Sequence, residues 1–217
     1  MKIKNICVEN YRSFKERQTL EIDGNISILV GPNGGGKSNL LDTALLLLRT
    51  KVFPSWVADR SQVNHLNPRP TFKRNDINLE SQMAPHREGQ GKPQIYEIEL
   101  EVTARDLENL ETIVANAAQL QDALNNRYQG VAFPNLEHWK EYLPHSGQSF
   151  VVSNNYVKKD ELYEKQRDTY LSFLQNFEWI SRLQSEENSA LLTTPILCLP
   201  ANRSSAGVGF NVALADF

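Results

Sequence analysis

Eight residues, Gly31-Pro32-Asn33-Gly34-Gly35-Gly36-Lys37-Ser38, keep the spacing G-x-x-x-x-G-K-[ST]; the apolar run Ile26 to Val30 leads in and a helix-forming run, Asn39 to Arg49, leads out. Strand, glycine loop and helix in that order are the context in which this spacing means phosphate binding. A polyphosphate carries several negative charges, so successive amide N–H groups must face it, and a Cβ would obstruct the approach. Gly31, Gly34, Gly35 and Gly36 relieve that crowding. The helix that follows adds its unpaired first-turn N–H groups and the positive end of its dipole, together worth about 0.3–1 kcal/mol at an exposed site. Lys37 is placed to reach the β- and γ-phosphates as a mobile point charge, and the Ser38 hydroxyl to ligate Mg²⁺. A glycine-rich turn that matches by chance is the bland alternative. The terminal Lys-Ser pair, with strand and helix both in place, argues against it.

The flanking sequence predicts more strands. Ile3, Ile6 and Val8 are apolar within 3–8, Gln18-Thr19-Leu20-Glu21-Ile22 alternates, and the polar stretch between them predicts an antiparallel pair. Gly24-Asn25 turns the chain into the strand 26–30, whose unbroken apolar character predicts cover on both faces. Helix 39–49 carries leucine on nearly every side and is expected to be buried. Tyr96, Ile98, Leu100 and Val102 alternate with Glu97, Glu99 and Glu101, which predicts a half-exposed antiparallel strand with its carboxylates on a solvated edge rather than on a metal.

Thr103-Ala104-Arg105-Asp106 has the form of a capping box, with Asp for the usual Glu, and Leu107, Leu110, Val114, Ala117 and Leu124 keep a seven-residue repeat behind it, interrupted by Gln121. A second helix is predicted over 158–184, with Leu162, Tyr163, Gln166, Tyr170, Phe173, Leu174, Phe177 and Ile180 on one broad face. Two readings follow, a projecting helical arm or an insertion packed on the sheet. Its aromatic richness favours packing, since heptad seams prefer aliphatic residues. Pro195 to Leu199 predicts a short buried strand, and Ala201 to Phe210, a polar loop with Gly207 and Gly209, is either a site element or an ordinary connection.

With 217 residues and a net charge of −3, the chain is long enough for one domain with an insertion or for one and a half domains, and it is no globally basic nucleic-acid coat. Between Arg49 and Arg74 six basic residues face one acidic residue, Asp59; they form either a phosphate-contacting patch or, the preferred reading, a solvated proline-rich loop. Cys7 and Cys198 form no C-x-x-C pair and the histidines 65, 86, 138 and 145 show no ligand spacing, so no structural zinc is expected. The longest apolar run, Ala44 to Leu48, falls far short of the roughly 20 residues that span a bilayer, which predicts a cytoplasmic protein with no membrane partner.

Val8-Glu9-Asn10-Tyr11-Arg12-Ser13-Phe14, a strand pair, and then Gly31 to Asp42 together resemble the amino-terminal lobe of the SMC-like branch of ABC-type, AAA-family ATPases, which includes RecF, SMC, Rad-type repair and OLD-type ATPases. The resemblance covers residues 1–48. It implies an α/β fold, a P-loop NTPase of the ABC/SMC head type in which an antiparallel β-hairpin subdomain joins a parallel core strand and a helical insertion. The expected organisation is an ATPase lobe over 1–103, the insertion over 104–190, and a return strand with the start of the second half of the core over 191–217. It implies ATP and Mg²⁺ as ligands, and it adds Arg12, Ser13, Asn33 and Asn39 to Gly34, Gly35, Gly36, Lys37 and Ser38 as site residues. A guanidinium on a turn beside a triphosphate also suits directional phosphate recognition. The partners it implies are a second ATPase head in a homodimer or higher oligomer, DNA, and a nuclease or effector subunit.

Two family elements are missing from the pattern. Val212-Ala213-Leu214-Ala215-Asp216 has an apolar lead but Phe217 where a glutamate belongs, and Ser146-Gly147-Gln148 is a signature fragment one glycine short. Both are rejected, and no Q-loop glutamine is placed; the region after 195–199 offers Asn202 and Arg203 instead. The chain reads as the front half of an ATPase head, acting in DNA repair or anti-phage defence. The alternative is a nucleotide-gated module that docks a partner with little hydrolysis of its own. A small-molecule kinase is a weaker third reading.

Overall fold

The structure is a computed structural model that describes residues 1–24, 28–52, 84–129 and 132–186. The predicted strand 195–199, the loop 201–210, the segment 212–216 and nearly all of the Arg49–Arg74 patch lie outside the described residues.

Strand β1 (Lys2–Glu9) pairs with β2 (Gln18–Glu21) on one side and β3 (Ile95–Glu101) on the other, and β4 (Ser149–Ser153) completes the order β2-β1-β3-β4. Every pairing among these strands is antiparallel. The hairpin expected from the two amino-terminal runs is therefore present. Strand β4 was not foreseen, and it falls inside the stretch expected to be helical.

The register follows from burial. Leu20, Ile6, Ile98 and Val152 stand opposite one another in a row, and Leu100 pairs with Phe150, so a continuous apolar face crosses the sheet. Ile3 and Ile6 are three residues apart, which ought to put them on opposite faces. The register shifts between Ile3 and Asn5, and Lys4 is the extra residue that brings Ile3 back opposite Leu100.

The glutamate face of β3 corrects the sequence reading. Strand β3 is interior, flanked by β1 and β4, and not an edge. Its carboxylates are matched: Glu97 to Arg17 at 3.5 Å, Glu99 to the Asn5 amide, and Glu101 to Lys4 at 3.0 Å, which raises the Lys4 pKa through that hydrogen bond and charge.

Helix α1 (Lys37–Leu47) continues through a wide turn, Leu48–Val52, and packs on β1 and β3. Leu40, Thr43, Ala44, Leu47, Leu48 and Val52 are buried, but Leu41 is 45 % exposed, so burial of α1 is one-sided at that position and not all-round. Of the expected strand 26–30, residues 26 and 27 lie outside the described residues. Residues 28–30 belong to no described strand; Leu29 packs against the core, while Ile28 and Val30 are 83 % and 85 % exposed.

Helix α2 (Ala104–Ala115) opens with the expected capping box: Asp106 N–H donates to Thr103 Oγ1 and Thr103 N–H donates to the Asp106 carboxylate. A break at Asn116 separates α2 from α3 (Ala117–Arg127), yet Leu110, Ile113, Ala117, Leu120 and Leu124 still make one buried stripe. A 3₁₀ turn, Glu137–Tyr142, buries Trp139. Helix α4 (Glu161–Glu186) starts where the Asp160 carboxylate accepts from Tyr163 N–H.

Helix α4 packs and does not project. Phe150 of β4 meets Tyr163 and Tyr170 at 5.3 and 5.6 Å between ring centroids, Phe173 and Phe177 extend the cluster, and Trp179 meets Tyr128 at 5.2 Å. Asp106 lies beneath, 2 % exposed, taking hydrogen bonds from Thr103 and the Tyr170 hydroxyl and pairing with the Met1 ammonium group. Burial, with the Asp106 charge beside it, pushes the Tyr170 phenol well above its ordinary range.

Candidate phosphate-binding site

Two loops meet at the end of the sheet, and backbone conformation shapes both. In the glycine loop, Gly34 and Gly36 adopt φ of 81° and 83°, a region open to glycine at little cost. Gly35 N–H donates to the Pro32 carbonyl at 3.1 Å and closes the turn. The Gly36 carbonyl accepts the first helical bond, from Leu40 N–H at 3.0 Å, so α1 begins at Lys37. The amides of 37–39 are then first-turn donors with no carbonyl one turn behind them. Lys37 curls back, its ammonium donating to the carbonyls of Gly31 and Pro32, both at 2.7 Å. Asn33 is exposed at the tip of the loop; the Ser38 side chain lies outside the described set.

The second loop is the turn after β1. Tyr11 and Phe14 exchange backbone hydrogen bonds of 2.8 and 2.7 Å, which forces the chain round in two residues, and Arg12 takes φ of 44°. Asn10 precedes it at φ 51°, a conformation asparagine accepts more readily than most residues. Its buried amide donates to the carbonyls of Gly89, Lys92 and Pro93 at 2.9, 2.9 and 3.3 Å, and Arg12 N–H donates to Ala84 at 3.0 Å. Tyr11 is fixed edge-on to Tyr96 at 5.2 Å, with the Arg12 guanidinium 5.1 Å over its ring. The Tyr96 phenol is pushed up by burial and by Tyr11, an effect Arg12 partly opposes. At the margin, a Lys15–Glu88 pair at 2.6 Å raises the lysine pKa and lowers the carboxyl pKa.

The two loops touch at Gly36. A Cβ built there would lie 2.6 Å from Ser13 Oγ and 2.9 Å from Phe14 Cζ. Arg12 Nη1 donates to Asn39 Oδ1 at 3.1 Å, and Asn39 Nδ2 donates to Ser13 Oγ at 2.9 Å. Of the residues singled out in the sequence, Arg12, Ser13, Gly36 and Asn39 thus form one connected group, with Lys37 on the adjoining loop. First-turn amides, a lysine and an arginine together suit a polyanion, and the missing Cβ at Gly36 lets the two loops close on one another.

Sequence reasoning missed Asn10 and Gly89. The Asn10–Gly89 bond spans 79 residues and no local spacing encodes it; the available hint was an asparagine at a tight turn. Ser146-Gly147-Gln148 is a reverse turn leading into β4: Gly147 takes φ 83°, donates to Val102 at 2.8 Å, and the Gln148 carbonyl accepts from Val102 N–H at 2.9 Å. Among the described residues no cluster of His, Cys, Asp and Glu could hold a metal ion, and no helix is long and apolar enough to cross a membrane.

Comparison with known proteins finds one matching family model and several partial relatives. Residues 1–191 match the family model described as "AAA ATPase domain". A chromosome partition protein Smc from Halobacteriovorax marinus is 36 % identical over 66 residues, 30 % of this chain and 5 % of that protein. The DNA replication and repair protein RecF of Staphylococcus haemolyticus is 43 % identical over 51 residues, 24 % of this chain and 14 % of RecF. RecF of Clostridioides difficile is 38 % identical over 53 residues, again 24 % and 14 %. The chain thus aligns with only a small part of the length of these relatives.

Proposed function

Because the chain belongs to the AAA ATPase domain family, we propose that it binds ATP with Mg²⁺ at the glycine loop and forms the nucleotide-holding lobe of an SMC-like ATPase that acts with DNA. The observation that carries this reading is the contact at Gly36, which sets a guanidinium-bearing turn against a lysine-bearing loop at the start of one helix. Amides of Gly34, Gly36 and Lys37 then face the phosphates on a loop that the Gly35 N–H holds closed through Pro32, and Asn33 at the loop tip lies near the γ-phosphate. Lys37 leaves the carbonyls of Gly31 and Pro32 to neutralise charge on the terminal phosphoryl group, the role in which it acts as the catalytic residue. Arg12, with the Ser13 backbone, adds a second cationic contact. Ser38 would supply a hydroxyl ligand to Mg²⁺, whose charge would offset that of the phosphate oxygens.

A second ATPase head and duplex DNA are the partners we propose, supported by the similarity to chromosome-partition and DNA-repair proteins. A cytoplasmic setting, a role in repair or anti-phage defence, and a nuclease or effector subunit extend the same reading on resemblance alone. So does the division into a lobe over 1–103, an insertion over 104–190 and the return at 191–217.

The test is calorimetric titration of ATP·Mg²⁺ into the intact protein and its Lys37→Ala variant, with turnover followed in the presence and absence of duplex DNA. Lys37→Ala is expected to weaken binding at least tenfold, as loss of a charge-assisted contact does. Unchanged affinity would refute the phosphate-loop assignment, and turnover indifferent to DNA would remove the DNA role.

A further inference from the structure

Asn39 stands two residues after the P-loop lysine, at the mouth of the proposed site, where an amide side chain invites assignment as a nucleotide contact. Its hydrogen bonds point elsewhere. Arg12 is a donor only, so the Asn39 group facing it at 3.1 Å is the carbonyl oxygen, and the amide nitrogen turns to Ser13 Oγ at 2.9 Å. The oxygen committed to the arginine is itself an acceptor and would repel a phosphate. The Asn39 backbone carbonyl accepts from Thr43 Oγ1 at 3.0 Å, within the helix, so the residue is fixed in α1 while its side chain reaches across to the turn.

Arg12 has reason to need such a strut. It sits at φ 44°, on a turn only four residues long. An arginine side chain loses rotamer entropy when ordered, and a guanidinium left to wander would pay that cost on meeting phosphate. Stacking on Tyr11 fixes one face of the guanidinium and Asn39 fixes one edge. The planar five-donor fork of a guanidinium matches the geometry of phosphate oxygens.

We propose that Asn39 is a positioning residue, a strut from helix α1 that holds the Arg12 guanidinium in aim through Oδ1 and the Ser13 turn through Nδ2. The inference rests on Arg12 contacting phosphate, and the experiment separates failure of the two. ATP·Mg²⁺ affinity is measured by titration for the intact protein and for Arg12→Ala, Asn39→Ala, Asn39→Asp, the double alanine variant and Lys37→Ala. Arg12→Ala and Asn39→Ala are each expected to weaken binding about tenfold, and the double variant no further than Arg12→Ala alone, since one interaction is lost either way. Asn39→Asp keeps the acceptor for Arg12 and is expected to bind within about threefold of the native protein.

If Asn39 instead donates to the nucleotide, the two alanine losses multiply and Asn39→Asp, bringing a negative charge to the phosphates, binds more weakly than Asn39→Ala. Either result overturns the proposal. Native affinity in Asn39→Ala beside a weakened Arg12→Ala overturns the strut and leaves the arginine contact standing. Native affinity in Arg12→Ala beside a weakened Lys37→Ala overturns the arginine contact and the strut with it, while the loop assignment survives.

Discussion

Asn10 is 3 % exposed, and through one amide it ties the Tyr-Arg-Ser turn to three carbonyls of the 89–93 segment. Gly89 lies so close that a Cβ there would collide with Asn10 Oδ1. Gly89→Ala is therefore expected to push the asparagine off its carbonyls and destabilise the protein by about 1–3 kcal/mol, the usual range for overpacking. At this chain length that lowers the thermal midpoint by roughly 2–4 °C for each kcal/mol. Nucleotide affinity should fall with it, because Arg12 is two residues from Asn10. A Gly89→Ala protein that melts and binds like the native one would show that the turn does not depend on this anchor. Gly36 was singled out by the local spacing of its loop, and Arg12 and Ser13 by the resemblance that their turn carries. Asn10 and Gly89 were not, because their meaning arises only when distant segments meet.

Strand β3 shows what periodicity delivers and what it withholds. Alternation of Tyr96, Ile98, Leu100 with Glu97, Glu99, Glu101 identified the strand and its buried face, since a period of two is a property of the strand itself. Which strands flank it depends on β4, whose five residues Ser149–Ser153 carry too little pattern to announce themselves. The glutamates consequently looked like an edge when they are an interior polar face. The helical segment was more legible: the capping box marked the start of α2, and the aromatic face of α4 foretold packing.

Asp106 joins these elements, receiving bonds from Thr103 and Tyr170 and the Met1 ammonium. Asp106→Ala takes the shared carboxylate from a buried ammonium and a buried phenol, leaving them the long contacts to Thr103 Oγ1 at 3.4 Å and the Glu101 carbonyl at 3.5 Å, which is expected to cost about 3 kcal/mol in chemical denaturation. Tyr170→Phe removes one neutral donor and should cost about 1 kcal/mol. Equal losses from the two variants would mean that the carboxylate is not the hub.

At the scale of the whole molecule, the described sheet is antiparallel throughout, and the apolar segment entering the glycine loop has Leu29 turned inward and Ile28 and Val30 turned out. Unbroken apolar character led to the expectation of cover on both faces, but composition does not reveal which neighbour provides it. Two exposed β-branched side chains two positions apart form a sticky strip. The 217-residue chain prepared alone is expected to scatter light increasingly with concentration, and Ile28→Thr with Val30→Thr to suppress this. Scattering that the double variant does not reduce would locate the adhesive surface elsewhere.

The contact at Gly36 has a consequence for how such a molecule changes over time. With Ser13 Oγ and Phe14 Cζ inside the space a methyl group would need, a side chain at 36 is admissible only if the hairpin tip retreats, and retreat carries the guanidinium away with it. The reach of the arginine and the bareness of the loop are thus one inherited variable: lineages, and engineers, must alter both together or neither.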